Sequence, residues 1–277
     1  GPLLSGTEHV APFACYRCPY GYPDLNGEAQ LEICKTTCAS FVRYVLEKEG
    51  DVAAVIAEPA RAVPYIPPPG YWQMVRQACN DHGALLIFDE VPTGLGKTGK
   101  MFACEHDDVV PDILVLGKAL GGGILPIAAV LAKSELDVAG EFAFGHYTHE
   151  KNPVTAKAAL TTIEIIEQEG LVENAAELGK YMLEQLNLLK AKHSTIGDVR
   201  GRGLLVGVEL VLNQEEKTPA NDLAEDVLYR CLSKGLSFKL TMGNVMTLTP
   251  PLIIKKAQID LSLEIIDQSL SEAEQAL

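Results

Sequence analysis

Two short apolar runs, each punctuated by glycine, constrain this chain more than any other feature. Ala84-Leu85-Leu86-Ile87-Phe88 leads into Asp89 and a segment that ends at Gly99. Ile113-Leu114-Val115-Leu116 leads through Gly117 to Lys118 and the Gly121-Gly122-Gly123 triplet. Uniformly apolar runs this short are the pattern of strands buried on both faces of a sheet. In open α/β sheets ligands sit beyond the carboxyl ends of the strands. A carboxylate at Asp89 and an amine at Lys118, delivered at two such ends, can therefore converge on one small molecule.

That pair suits pyridoxal phosphate, whose aldehyde needs a lysine to form a Schiff base and whose ring nitrogen needs an anionic partner to stay protonated. A strand-end Asp can equally be a cap and a strand-end Lys a surface charge, and spacing alone leaves both readings open. The wider motif set decides between them. Asp89-Glu90-Val91-Pro92-Thr93-Gly94, then Gly96-Lys97-Thr98-Gly99, Pro111-Asp112, Gly117-Lys118 and the glycine triplet follow one another in the chain. In this order they resemble the signature of the class III pyridoxal-phosphate-dependent aminotransferases. The resemblance continues through Glu58-Pro59, Thr148 with Asn152-Pro153, Gly201-Arg202-Gly203-Leu204 and Pro250-Pro251-Leu252, and so covers most of the chain.

Composition narrows the class independently. The chain has 277 residues, 47% of them hydrophobic, which is ordinary for a globular protein with a real core. Its net charge of −14 is spread rather than blocked, which speaks against nucleic acid or an anionic membrane as a partner. The longest apolar stretch, Ile124 to Ala132, is far below the ~18 residues of a membrane span. Seven cysteines fit a reducing compartment better than a disulfide framework, which predicts a cytoplasmic location.

Read in order, the Pro-, Gly- and Tyr-rich first thirty residues look like a domain entered midway. Cys15-x2-Cys18 and Cys34-x3-Cys38 approach a four-cysteine zinc spacing. The second pair, however, falls in a helical pattern from Glu28 to Glu49 with Leu31, Cys34, Cys38, Phe41 and Val45 on one face, so core packing is the better account and no metal is expected. Val52 to Ala57 reads as a buried strand ending at Glu58-Pro59, and Tyr71 to about Asp81 as a helix stopped by Gly83. After Lys118 the next strand, Pro126 to Ala132, follows too soon for a parallel crossover and should run antiparallel. Long helices follow from Pro153 to about Gly170 and from Leu171 to Lys192. Beyond them come a turn and strand over Gly197 to Val211, a helix over Pro219 to Lys234, short strands at Leu236–Leu240 and Val245–Thr249, and a last helix from about Lys255. The expected architecture is α/β: a large cofactor-binding domain over 1–165, its sheet mainly parallel with one antiparallel strand, and a smaller α+β domain over 166–277.

The resemblance implies roles for single residues. Lys118 would hold pyridoxal 5'-phosphate and act as general base and acid. Asp89 would face the ring nitrogen, and Val91 would pack on a ring face. Thr148 would reach the phosphate of a neighbouring subunit, which makes a homodimer with shared active sites the expected assembly, with His146 and His149 as unassigned neighbours. Glu90 and Glu58 are candidates for hydrogen bonding or substrate gating, and Arg17 and Lys239 for gripping an anionic tail. The resemblance puts the family's phosphate loop and ring-stacking aromatic residue upstream of Gly1, as expected either of a piece of a longer protein or of a shortened relative with impaired cofactor binding. Pro92 stands where the family usually has glutamine, and Thr247 where many members place an arginine for the substrate carboxylate. Transfer of an amino group from a terminal amine to a keto acid is the expected activity. The alternatives are elimination of ammonia or phosphate from an amino alcohol phosphonate or phosphate, and a cofactor-less relative with a structural or regulatory role.

Overall fold

The two glycine-bounded runs form neighbouring strands. The computed structural model describes residues 4–23, 28–142, 145, 148–150 and 152–276. In it β1 (Ala54–Ala57), β2 (Leu85–Asp89) and β3 (Ile113–Leu116) are parallel neighbours, and β4 (Ala129–Ala132) pairs antiparallel with β3. The reversal at β4 follows from the shortness of its connection, which leaves no room for a crossover helix.

One face of this sheet is covered by helices. The pattern from Glu28 to Glu49 is not one helix but two, α1 (Glu28–Cys34) and α2 (Thr37–Glu49), because Lys35 and Thr36 adopt left-handed φ values of 45° and 52°. Thr37 contributes to the break: its hydroxyl donates to the Cys34 carbonyl at 2.6 Å, a local bond that competes with the helical ladder. Helix α3 (Tyr71–His82) ends at Gly83, whose left-handed backbone lets its N–H return to the Cys79 carbonyl. Val42, Leu46, Trp72, Val75 and Cys79 from α2 and α3 bury Leu86 and Phe88 of β2. Burial of a Phe-sized side chain there contributes about 2–3 kcal/mol. Trp72 is further fixed by its indole N–H donating to the Pro59 carbonyl at 2.8 Å.

The opposite face corrects the expectation that every run is buried on both sides. Ladder partners share a face, so Ile56, Ile87 and Ile113 lie together, as do Asp89, Val115 and Val130. On this side Ile56 is 66% and Val130 68% exposed. Only the helix-covered side is closed among the described residues. Asp112 of the Pro-Asp motif is structural: it accepts from the Leu86 N–H, Arg76 and Lys133 at 2.6–2.7 Å, clamping the start of β2 to α3 and to the end of β4.

Helix α4 (Pro153–Gln168) is capped by the Asn152 side chain, with Pro153 at its first position, and α5 (Leu171–Lys192) follows after left-handed Gly170. The stretch expected to be a turn and one strand is a hairpin, β5 (Ile196–Arg202) and β6 (Leu205–Asn213). Short β7 (Thr218–Pro219), helix α6 (Asn221–Ser233), strands β8 (Lys239–Thr241) and β9 (Val245–Leu248) and helix α7 (Lys256–Glu274) complete the chain. The second sheet is antiparallel throughout, in the order β5-β6-β9-β8, with β7 beside β6. Val206, Val208, Leu210, Met246 and Leu248 bury one face against α5, α6 and α7. The other face is polar, with Asp198, Arg200, Glu209, Thr241, Thr247 and Lys239 in register.

Three of the quoted motifs meet where the two sheets join. The Leu204 N–H donates to the Lys97 carbonyl at 2.9 Å, and Lys97 Nζ donates to the Pro250 carbonyl at 2.7 Å. At the same joint a Cβ on Gly179 of α5 would lie 2.2 Å from the Gly203 carbonyl oxygen, and one on Gly203 would lie 2.3 Å from the Thr98 backbone. Alanine is the better helix former at an ordinary helix position. Gly179→Ala should nevertheless destabilise the protein by about 2 kcal/mol through overpacking. Gly140→Ala, where a Cβ meets nothing within 4 Å, should stay within about 0.5 kcal/mol. Urea unfolding of the two variants checks this, and equal midpoints would refute the crossing as a packing constraint.

Candidate active site

The ends of β1, β2 and β3 present Glu58, Asp89 and Lys118 along one edge. Ala57 pairs with Phe88, so Glu58 and Asp89 are the next residues on adjacent strands, and Asp89 pairs with Val115. The Asp89 carboxylate accepts the Val91 N–H at 3.0 Å, which fixes its orientation just past the strand. Glu58 accepts the Ala62 N–H at 2.5 Å and is half-buried. Lys118 opens a single 3-10 turn to Gly121, with a left-handed φ of 44° that lysine rarely adopts and with its side chain exposed. Gly117 just before it is buried and closely packed: an added Cβ would lie 3.3 Å from Val91 Cγ1. Val91 therefore packs beside the backbone that carries Lys118. The strand order sets Glu58, Asp89 and Lys118 at the same ends of three neighbouring strands, with Val91 beside Gly117.

Glu90 does not belong to that group. It is 1% exposed and accepts the N–H groups of Ala103 and Cys104 at 2.7 and 2.8 Å and the Thr93 hydroxyl at 3.2 Å. Burial pushes its carboxyl above the ordinary range while those donors pull it back. Its task is to close the loop after β2, so the gating role is withdrawn.

The polar face of the second sheet holds the candidate cations. Arg17 Nε donates to Glu209 Oε1, and Arg200 donates to Glu209 Oε2 at 2.8 Å and to Asp198 at 2.7 Å. Burial opposes the charge on Arg200, but Asp198 and Glu209 outweigh it and hold its pKa up. Arg200 also lies 4.4 Å over the Tyr65 ring and donates to the Pro64 carbonyl, so the network ties the two sheets together. Arg17 thus carries an internal ion pair, whereas Lys239 is exposed and sits beside Thr247 in the ladder. Thr247 is 6% exposed and shares a 2.8 Å hydroxyl bond with Thr241. Sequence reasoning missed Arg200 and Glu209. The signal was there: a glutamate inside the apolar run Leu204 to Val211 implies a buried partner.

Thr148 lies exposed in a turn ahead of α4, as does His149, while His146 is outside the described residues. Among the described residues no three His, Cys, Asp or Glu side chains are grouped to hold a metal ion, and no helix is long and apolar enough to cross a membrane.

A family model described as Aminotransferase class-III matches residues 5–270. The chain belongs to the class III aminotransferase family. It is 41% identical over 98% of its length to the (R)-1-hydroxy-2-aminoethylphosphonate ammonia-lyase of Vibrio splendidus (strain 12B01), and 39% identical over 98% to the leucine/methionine racemase of Thermococcus litoralis. A solved Bacillus anthracis aminotransferase superposes with a TM-score of 0.89 at 37% identity over 98% of the chain. The chain spans 58%, 61% and 63% of these three proteins. Similarity to lyase, racemase and aminotransferase alike makes the family secure and leaves the reaction open.

Class III enzymes are pyridoxal-phosphate-dependent, and the residues present fit that cofactor. An amine and an oriented carboxylate stand at neighbouring strand ends, and the backbone beside them is a glycine, Gly117, whose added Cβ would press on Val91 at 3.3 Å.

Lys97 gives the joint beside this edge a pH signature. Burial pushes its amine down to about 8 from an ordinary 10.5. Between those values the unfolded chain holds a proton that the folded chain has released, so stability falls as pH drops from 10.5 to 8 and rises as pH climbs through that window. Urea midpoints of the wild type minus those of Lys97→Met should therefore increase from pH 8 to pH 10. A flat difference would show that Lys97 titrates normally.

Proposed function

We propose that this chain carries the cofactor-holding edge of an enzyme that moves an amino group from a terminal amine to a keto acid. The observation that carries the reading is the placement of Asp89 at the end of β2 and of Lys118 just past the end of its parallel neighbour β3, with Val91 beside Gly117. When bound, pyridoxal 5'-phosphate supplies an aldehyde that captures amines and a ring that draws electrons from the attached carbon. Lys118 Nζ would hold the cofactor and would serve as the base and acid that moves a proton at the substrate carbon. Its exposed side chain leaves it free to swing between those tasks. Asp89, oriented by the Val91 N–H, sets a negative charge against the ring nitrogen. Thr148, exposed in its turn, serves the phosphate of a second copy in a homodimer.

The second sheet supports the substrate class. Thr247 supplies a hydroxyl already engaged by Thr241, which cannot grip an α-carboxylate as a guanidinium fork does. Arg17 is occupied by Glu209, so Lys239 is the better candidate for an anionic tail distal to the amine. A second reading has its own support: the Vibrio splendidus relative is an ammonia-lyase of an aminoethylphosphonate, a terminal amine with a distal anion.

Borohydride treatment of the holoenzyme should fix the cofactor irreversibly to Lys118, read by peptide mapping, and a label on any other lysine refutes the site. Thr148→Ala should weaken cofactor retention without moving that label. A panel of terminal amines with distal carboxylate, phosphonate or phosphate groups, assayed with and without a keto acid, separates the reactions. Turnover that requires the keto acid means transamination, and ammonia release without it means elimination. Efficient turnover of ordinary α-amino acids, undiminished in Lys239→Ala, would overturn the substrate class.

A further inference from the structure

The two cysteine pairs of near-zinc spacing line a common cavity in the fold. Cys15, Cys18, Cys34 and Cys38, with Tyr20 and Thr37, line one cavity of about 20 Å³. That is room for a single water-sized group. Cys15 and Cys18 bracket the 3-10 turn Cys15–Arg17, while Cys34 ends α1 and Cys38 lies in the first turn of α2, on either side of the left-handed break at Lys35 and Thr36. None of the seven cysteines is in a disulfide, and Cys15, Cys18 and Cys38 are partly exposed whereas Cys34 is buried.

The geometry points to a thiol redox site in which hydroperoxide oxidation joins Cys15 of the first turn to Cys38 of α2. Cys15 is the partner because it sits on a short turn that can yield, whereas Cys34 is fixed in the buried end of a helix. Burial, with smaller contributions from Cys15 and then Cys34, pushes the Cys38 thiol up to about 11. A thiol held protonated in this way is a poor initial nucleophile, which casts Cys38 as the resolving sulfur. The chemistry balances in two steps. The Cys15 thiol reacts with the hydroperoxide to give a sulfenic acid, releasing water from hydrogen peroxide. The Cys38 sulfur then attacks the Cys15 sulfur, its proton leaves with the hydroxyl as a second water, and the disulfide forms. The bond would tether to α2 the segment whose Arg17 pairs with Glu209 on the second sheet.

The test uses the unsubstituted full chain. It is treated with hydrogen peroxide, alkylated, digested and mapped by mass spectrometry with and without dithiothreitol. A Cys15–Cys38 cross-linked peptide pair, two hydrogens lighter than the separate thiol peptides, reversed by dithiothreitol and lost in Cys15→Ser, supports the site. Full alkylation of all four cysteines after peroxide, oxidation to sulfinic or sulfonic acid without a cross-link, or a disulfide joining any other pair overturns it.

Discussion

The buried carboxylate of Glu90 is the interaction on which the rest of the site depends. It follows Asp89 directly, and its bonds to Ala103, Cys104 and Thr93 draw the whole segment after β2 into a closed loop. A buried acid without such donors would be costly, and each missing bond there would leave a desolvated group behind. Because the loop is closed, Val91 is held against Gly117 and the Asp89 carboxylate is aimed by its neighbour's N–H. The same closure carries Lys97 to the second sheet, where it meets Leu204 and Pro250. One ionisable side chain therefore organises both the chemical edge and the joint.

The second sheet contributes through its asymmetry. Its apolar face makes a core with three helices, and its polar face turns a set of paired charges toward the first sheet. Ion pairs such as Arg200 with Asp198 and Glu209 supply register more dependably than net stability, because desolvation offsets much of their attraction. Further contacts reinforce the seam: Arg202 with Asp107 at 2.8 Å, Arg200 over Tyr65, and the glycine crossing under Thr98. The cations of this face differ in availability for a simple reason. Arg17 and Arg200 share the buried carboxylate of Glu209, while exposed Lys239 lies on β8, where it faces the uncharged Thr247 in its ladder.

The sequence made some of this legible and hid the rest for physical reasons. Strands β2 and β3 were readable because burial demands apolar runs and glycine marks their ends, and the reversal at β4 because a short connection permits nothing else. The break between α1 and α2 was hidden, since the apolar spacing continues across Lys35 and Thr36 and only the threonine hydroxyl betrays it. Exposure of Ile56 and Val130 was equally invisible, because an apolar run does not say which of its faces is covered. The Arg17–Glu209 pair joins residues 192 positions apart, beyond the reach of any local pattern. The roles of Glu58 and Glu90 could not be separated by type or position, since both are acids at strand ends. Only their partners distinguish them.

The left-handed backbone at Lys118 has a consequence for how such a chain can change. A residue with a Cβ is held there against its own preference, at a cost of about 1 kcal/mol or more, while glycine would occupy the position without strain. Drift toward a more stable protein therefore runs directly through loss of the amine. A lysine retained at that position in a sturdy scaffold is a mark of selection for chemistry, and a glycine there would mark a descendant kept for its shape alone.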